Sequence, residues 1–442
     1  VEGSVSRALR ALRPPSLPRL LGAAEKRLLE ALLLVVVTTA PLGLSIYLHD
    51  PETPVLAGNF GFKYSDVVHG LFYPIFTRSE RWFSAEAYGE FTRGGYKCPV
   101  PYVDYKFEYP PLVGLLWYIS TCTAFSYTSS FESALRVHYY IHSAVIALLH
   151  AALVYTLYVL LKTSELGSRR LLRLLLLLSP STVIHSVYNW DVVASSLLLL
   201  GVLYTTRGKY FAAGLLQGLS VSTKLLTLGV PFYYATRLLL VEGRRESGLG
   251  FLAGFIVGGV LPFTLLYALS PRGFAELVKH HAAWYCENCL YLAVIRDIWS
   301  EHHKNLFYSV VAAVAAVYLL YAYPWRGISA RDEYKYLFLA TTTLVLFNYV
   351  FSPQMLLLVT PHALLALDPT TLPLYTVVDV SNALIITTFF THYGPPPPWE
   401  FGSVAQSAAF ARNVVLLALY AHTGIRVLEK SRREHERAQL RT

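Results

Sequence analysis

Long apolar runs set the first constraint on this chain. Leu28–Leu48, Val137–Leu161, Leu249–Leu269, Leu372–Phe390 and Val404–Leu428 each come near or above the roughly 20 residues that cross a bilayer. Backbone groups inside lipid must be satisfied within their own segment, so such runs are predicted to be helices. Only 15% of the 442 residues are charged, well under the share of about 25% usual in soluble domains. A soluble core of this size would still need a charged surface. The chain therefore reads as an all-α polytopic membrane protein.

A formal net charge of +9 is compatible with nucleic-acid binding. Lys and Arg, however, gather at the two ends and in short turns between apolar runs, the bias that marks cytoplasmic loops. Residues 1–27 carry Arg7, Arg10, Arg13, Arg19, Lys26 and Arg27 and are placed in the cytoplasm. So long a basic lead before Leu28 argues against a cleavable signal peptide. Residues 429–442 form a second basic cytoplasmic tail, leaving 28–428 as a single transmembrane domain. Shorter apolar runs fill the middle: Leu171–Val187, Val192–Thr206, Tyr210–Thr223, Leu225–Leu240, Leu306–Tyr321, Tyr336–Phe351 and Met355–Leu367. Two cytoplasmic ends require an even number of crossings, and the expectation is about 12. Lys162–Arg173 is basic enough to be cytoplasmic, which requires Tyr109–Phe125 to dip into the outer leaflet and return.

One stretch breaks the apolar pattern. Residues 49–108 are too polar for lipid and dense in Trp, Tyr and Phe, as expected of a first extracytoplasmic loop with interfacial helices on a membrane surface. Trp82, Tyr96, Tyr102 and Tyr105 are its candidate anchors, or platforms for a sugar face. A second outer loop spans 270–304, and Pro395–Pro398 form a rigid outer turn. Four cysteines are too few for a disulfide scaffold. An oxidised Cys286–Cys289 pair, a bridge from either to Cys98, and free thiols all stay open; zinc would need more ligands.

The topology gathers scattered polar residues on one side. Asp66 is flanked by Tyr64, Val67, Val68, Leu71 and Phe72, which predicts a short amphipathic helix with the carboxylate near its start. Asp191, in the turn Tyr188–Asp191, has a helix N-cap as its simplest explanation. Lys224 lies deep in an apolar stretch, where a lysine faces a cavity, pairs with an anion or snorkels to the interface. His280 and His281 offer proton acceptors beside Trp284 and Tyr285. Gln354 opens a descending segment after Pro353.

These residues sit in motifs whose order resembles a known family. The motifs are YSDVV around Asp66, GGYKCPVPY from Gly94, FEYPPL to Leu112 and NWDVVASSLLLLGVL from Asn189. AAGLLQGLSVSTKLLTLGVPF from Ala212 and FSPQMLLLVTPHALLAL from Phe351 complete the set. The chain resembles the GT-C superfamily of polyprenyl-phosphate-sugar-dependent membrane glycosyltransferases. The nearest branch is the polytopic mannosyltransferases, including the mycobacterial phosphatidylinositol-mannoside enzymes and, more distantly, the mannosyltransferase of GPI-anchor assembly.

The resemblance implies a GT-C fold and an inverting transfer of a hexose, mannose by analogy. The donor would be a polyprenyl (dolichyl) phosphate sugar, and the acceptor a lipid-linked molecule or glycan at the extracytoplasmic or luminal face of the plasma membrane or endoplasmic reticulum. Asp66 would be the general base, with His280 or His281 as a partner. Lys224 would hold the donor phosphate, helped by Arg78, Arg81 or Arg296. Asp191, Asn189, Gln354, Glu108, Tyr109 and Tyr64 would serve the sugar or the acceptor. No Asp-x-Asp occurs in the first loop, so a reaction without cofactor or metal is favoured. A transporter or flippase of a lipid-linked or anionic substrate is the alternative; it predicts internal repeats and a midplane polar path, and no repeat is visible.

Overall fold

The computed structural model describes residues 23–163, 170–320, 328–391 and 394–439. Most of the basic N-terminus, 1–22, and part of the turn expected in the cytoplasm, 164–169, lie outside the described residues, as do 321–327, 392–393 and the chain end, 440–442. The major helices are α1 (Ala23–His49), α2 (Pro111–Tyr127), α3 (Phe131–Thr163), α4 (Asp191–Thr206), α5 (Tyr210–Val221), α6 (Gly229–Thr236) and α7 (Arg245–Leu269). They continue with α8 (Pro271–Ala283), α9 (His302–Leu320), α10 (Ala330–Leu346), α11 (Leu356–Ala366), α12 (Leu372–Phe389) and α13 (Val404–Gln439). Among the described residues there is no β-strand, only isolated bridges such as Trp82 with Tyr105.

Five segments are long and apolar enough to cross a membrane: Arg27–His49, Phe131–Thr163, Arg245–Leu269, Leu372–Phe389 and Val404–Lys430. These match the five long runs of the sequence. The middle runs are shorter as helices, including Asp191–Thr206, Tyr210–Val221 and Leu225–Val241. Leu171–Val187, expected as one span, is broken. Helical turns at Arg170–Leu174 and Leu175–Leu178 end at Ser179, whose backbone is extended ahead of Pro180, and a new short helix runs Pro180–His185. A residue before proline is disfavoured in the helical region, which explains the break. Arg173, counted above among the solvated cytoplasmic residues, is buried and donates to the carbonyls of Leu364 and Leu367 at the end of α11. It satisfies carbonyls that the helix leaves without partners.

Helix α5 packs on α4 and α7. Gly214 and Gly218 on α5 meet Gly254 and Gly258 on α7 so closely that a Cβ at Gly214 would lie 1.9 Å from Phe251 O, and one at Gly254 would lie 2.0 Å from Phe211 O. Small residues one turn apart on both helices allow the backbones to touch. That crossing fixes the end of α5, just before Lys224.

The first loop is a folded cap with its own core. Trp82 and Tyr105 are buried with Phe72, Phe76, Phe107 and Trp117. Tyr102 is 4% exposed, and Tyr96 donates to Asp104 Oδ2 at 2.5 Å. Of the four aromatics expected as anchors or sugar platforms, Trp82, Tyr102 and Tyr105 are thus core rings, because large rings gain most by burial, while Tyr96 is half-buried and tied to Asp104. Helix α2 does not turn back on itself as expected of Tyr109–Phe125. It is one helix antiparallel to the first part of α3, and both its ends contact the cap. At its start the Tyr102 hydroxyl donates to Tyr109 O at 2.6 Å and Pro110 O at 3.1 Å, and towards its end Phe125 packs on Phe91 and Cys122 is bonded to Cys98. Cys98 therefore pairs with Cys122, a partner not considered above, and Cys286 pairs with Cys289. The second loop docks on the first through Ser270 Oγ, which donates to Tyr102 O at 2.7 Å.

Candidate functional site

Beneath the two loops lies a cavity of about 740 Å³. Asp66 stands in its wall. Ser65 caps the helical turn Asp66–Phe72 by accepting the Val68 N–H at 3.3 Å, so the carboxylate does begin a short helix. The Asp66 N–H donates to Tyr188 O at 3.0 Å. The Tyr109 hydroxyl donates to Asp66 Oδ2 at 2.7 Å and the Asn189 amide to the same oxygen at 3.2 Å. Two distant segments, Tyr109 and Tyr188–Asn189, thus aim one carboxylate. Burial pushes it up to about 6, against the pull of Tyr109, Lys224 and Asn189.

Asp191 is the first residue of α4, and its side chain does not cap the helix. Asn189 accepts the Asp191 N–H at 2.9 Å, and the Asp191 carboxylate instead pairs with Lys224 Nζ at 3.3 Å. The Asp191 side chain is fully buried and that of Lys224 is 15% exposed, so the ammonium is the end of the pair that reaches the cavity. The lysine's deep position in sequence is explained by this pair, not by snorkelling.

Glu108 is paired with Arg81 at 3.5 Å, and His280 Nδ1 lies 3.6 Å from the same carboxylate. Burial raises Glu108 above its usual range and lowers His280 to about 4. His281 Nδ1 faces the carbonyl of Leu277 in its own helix. The expected pairing of a loop histidine with Asp66 is therefore replaced: His280 lies beside Glu108, while Tyr109 and Asn189 orient Asp66. Gln354 lines the cavity, with Oε1 buried and unpaired.

Nine of the expected residues line this one cavity: Tyr64, Asp66, Arg81, Glu108, Tyr109, Lys224, His280, His281 and Gln354. Asn189 and Asp191 stand directly behind it. Arg78 and Arg296 do not belong. Arg78 is exposed outside the cavity, and Arg296 is exposed with its guanidinium 4.9 Å from the Phe401 ring centre. Sequence reasoning missed Glu287, His69 and Tyr188, all in the cavity wall. The signal for Glu287 was present in CENC, which was read only for its cysteines. His69 is three residues past Asp66 and stacks on Tyr64, with ring centres 5.7 Å apart.

One wall is apolar: Leu225, Leu226, Leu228 and Leu344. Leu228 and Leu344 also line a cleft of about 200 Å³ among α6, α9 and α10. Leu225 and Leu228 border another, of about 460 Å³, between α5 and α7. The cavity carboxylates do not converge into a metal-type cluster. Among the described residues the group with close ligand atoms is Cys286, Cys289 and His303, which lies outside the cavity. Comparison with protein-family models, curated proteins and solved structures finds no match.

Proposed function

We propose that the protein is an inverting glycosyltransferase of GT-C type, with about 12 crossings and its cavity at the extracytoplasmic face. It moves a hexose, mannose by resemblance, from a polyprenyl phosphate to a lipid-linked or glycan acceptor. One observation carries the reading: Asp66, Glu108, Lys224, His280 and Gln354, remote in sequence, meet in one cavity, and its apolar wall residues Leu225, Leu228 and Leu344 also border two apolar clefts. A lipid-linked donor needs that combination, a wet site for the head and an apolar path for the chain.

Asp66 takes the proton of an acceptor hydroxyl while that oxygen attacks the anomeric carbon. The bond from the anomeric carbon to the phosphate oxygen breaks on the opposite face, and the lipid phosphate departs with the electron pair. Attack opposite the leaving group inverts the centre. A carboxyl near 6 is mostly ionised at neutral pH yet basic enough to accept the proton. The departing phosphate needs positive charge more than a proton, which Lys224 supplies, with Arg81 beyond it.

The test is transfer from radiolabelled polyprenyl-phosphate mannose to extracted lipids by purified protein in detergent, with and without EDTA. Product from wild type that vanishes in folded Asp66→Asn supports the reading; equal turnover by both removes Asp66 from the chemistry. Product that survives EDTA means that no dissociable metal takes part, and product lost to EDTA and restored by a divalent cation overturns the preference for a metal-free reaction.

A further inference from the structure

The mechanism leaves two cavity carboxylates unused, Glu108, which is paired with Arg81, and Glu287. Glu287 lies inside the small ring closed by Cys286 and Cys289. Its main chain is held on both sides: its N–H donates to Tyr349 O at 3.0 Å, and its carbonyl accepts from the Phe351 N–H at 2.8 Å. The next carbonyl, of Asn288, accepts from Arg412 Nη2 at 3.0 Å and from Asn413 Nδ2 at 2.9 Å. Arg412 is fully buried and also donates to Asn382 Oδ1 at 2.9 Å and to Phe351 O at 2.8 Å. The backbone beneath Glu287 is therefore tied to α12, α13 and the segment before α11. A side chain on so many anchors has a fixed direction.

That direction is into the cavity. Trp284 Nε1 donates to Glu287 Oε2 at 2.8 Å. Oε1 takes no hydrogen bond from the described residues, and none of their cations lies in ion-pair range of the carboxylate. The neighbouring acids differ: Glu108 has Arg81, Asp191 has Lys224, and Asp66 has Tyr109 and Asn189. A half-enclosed carboxylate with a vacant oxygen is costly unless a ligand brings it a donor. An anion cannot do that. Sugar hydroxyls can, and they need no charge.

We propose that Glu287 is a specificity-determining residue of the transfer, its Oε1 accepting a ring hydroxyl of the hexose placed between Asp66 and Lys224. The inference rests on the glycosyltransferase reading and goes beyond it by naming the group that reads the sugar.

The experiment uses the full chain in detergent with polyprenyl-phosphate mannose and its monodeoxy analogues. In wild type, one analogue falls about 10- to 100-fold in kcat/KM, the loss expected when a buried charged acceptor is left without its donor. Glu287→Ala falls by a similar factor on the full sugar and loses nothing further on that analogue. Glu287→Met, of similar volume and without a hydrogen-bonding group to offer the hydroxyl, keeps the fold if the alanine variant does not, and it shows the same loss of discrimination. Wild type and variants that penalise every analogue alike overturn the assignment to Glu287 and leave the transferase reading standing. Wild type that transfers no sugar overturns both.

Discussion

Two buried polar clusters lie side by side in this protein, and only one faces a cavity. His138 and His142 stand one turn apart on α3, a spacing that also suits a pair of metal ligands. The Ser120 hydroxyl meets His138 Nδ1 at 2.9 Å and His142 Nε2 at 2.8 Å, and Trp190 Nε1 donates to His142 Nδ1 at 3.1 Å. The His138 ring is enclosed by Trp117 and Phe72, with centroids at 4.4 and 4.9 Å. Every nitrogen of His142 is consumed by protein. The Asp66 cluster begins one ring away, where Tyr109 meets Trp190 at 4.7 Å. There, carboxylate oxygens, an ammonium and an amide share a wall with open space. Titratable groups alone mark neither cluster as functional; what separates them is unspent hydrogen-bonding capacity turned toward a volume that a ligand can enter.

The comparison breaks first at Asp66. Asp66→Asn is expected to lower transfer by about 10²–10⁴-fold, the usual contribution of a positioned base, while thermal stability and gel-filtration behaviour stay near wild type. Lys224→Met comes next. It leaves Asp191 buried and unpaired, at a cost of about 3–5 kcal/mol in stability, read from thermal unfolding in detergent. The double variant Lys224→Met, Asp191→Asn recovers most of that stability but not transfer, which separates the ion pair's structural part from the lysine's chemical part.

A pH profile sharpens the contrast further. In the proposed mechanism the carboxylate form of Asp66 is the working one, and its pKa is raised to about 6. kcat/KM is therefore expected to rise with pH through a midpoint near 6 and to fall below it as the base is protonated. His280, lowered to about 4, is already neutral there, so His280→Ala leaves the midpoint in place. A midpoint that moves with His280 assigns the base elsewhere. The linkage sign is equally definite: a carboxyl raised on folding binds its proton more tightly when folded, so its contribution to stability shrinks as pH rises from the unfolded value toward 6.

The closed cluster is expected to behave in the opposite way. Ser120→Ala with His142→Leu costs about 1–3 kcal/mol of stability through orphaned polar groups, with transfer per folded molecule changed by less than about threefold. Arg78→Gln and Arg296→Gln form the floor of the series, within about twofold in activity, since both side chains are exposed outside the cavity.

The five long helices were legible because the hydropathy of each run is carried by the run itself. Asp66 and Lys224 were legible for a related reason, since each is a charge out of keeping with its neighbours. The partners were not. That Asn189 and Tyr109 would share one oxygen of Asp66, or that Asp191 would give up a cap to hold Lys224, depends on the packing of α4, α5 and the cap, which no local pattern encodes. Arg78 and Arg296 looked as suitable as Arg81 because charge is visible in sequence and direction is not. The aromatic loop misled in the same way, since interfacial rings and core rings have the same composition.

The walls of the cavity are drawn from Tyr64 through Phe390, so the site does not exist until nearly all of the chain has been made. On the ribosome, Asp66 emerges early and waits, without Lys224 and without Gln354, while the later helices are inserted. The core of the cap itself draws on Trp190, Leu266, Leu277 and Leu357 from later segments. The cavity is thus a property of the whole assembly of helices, and no shorter N-terminal piece of the chain contains it.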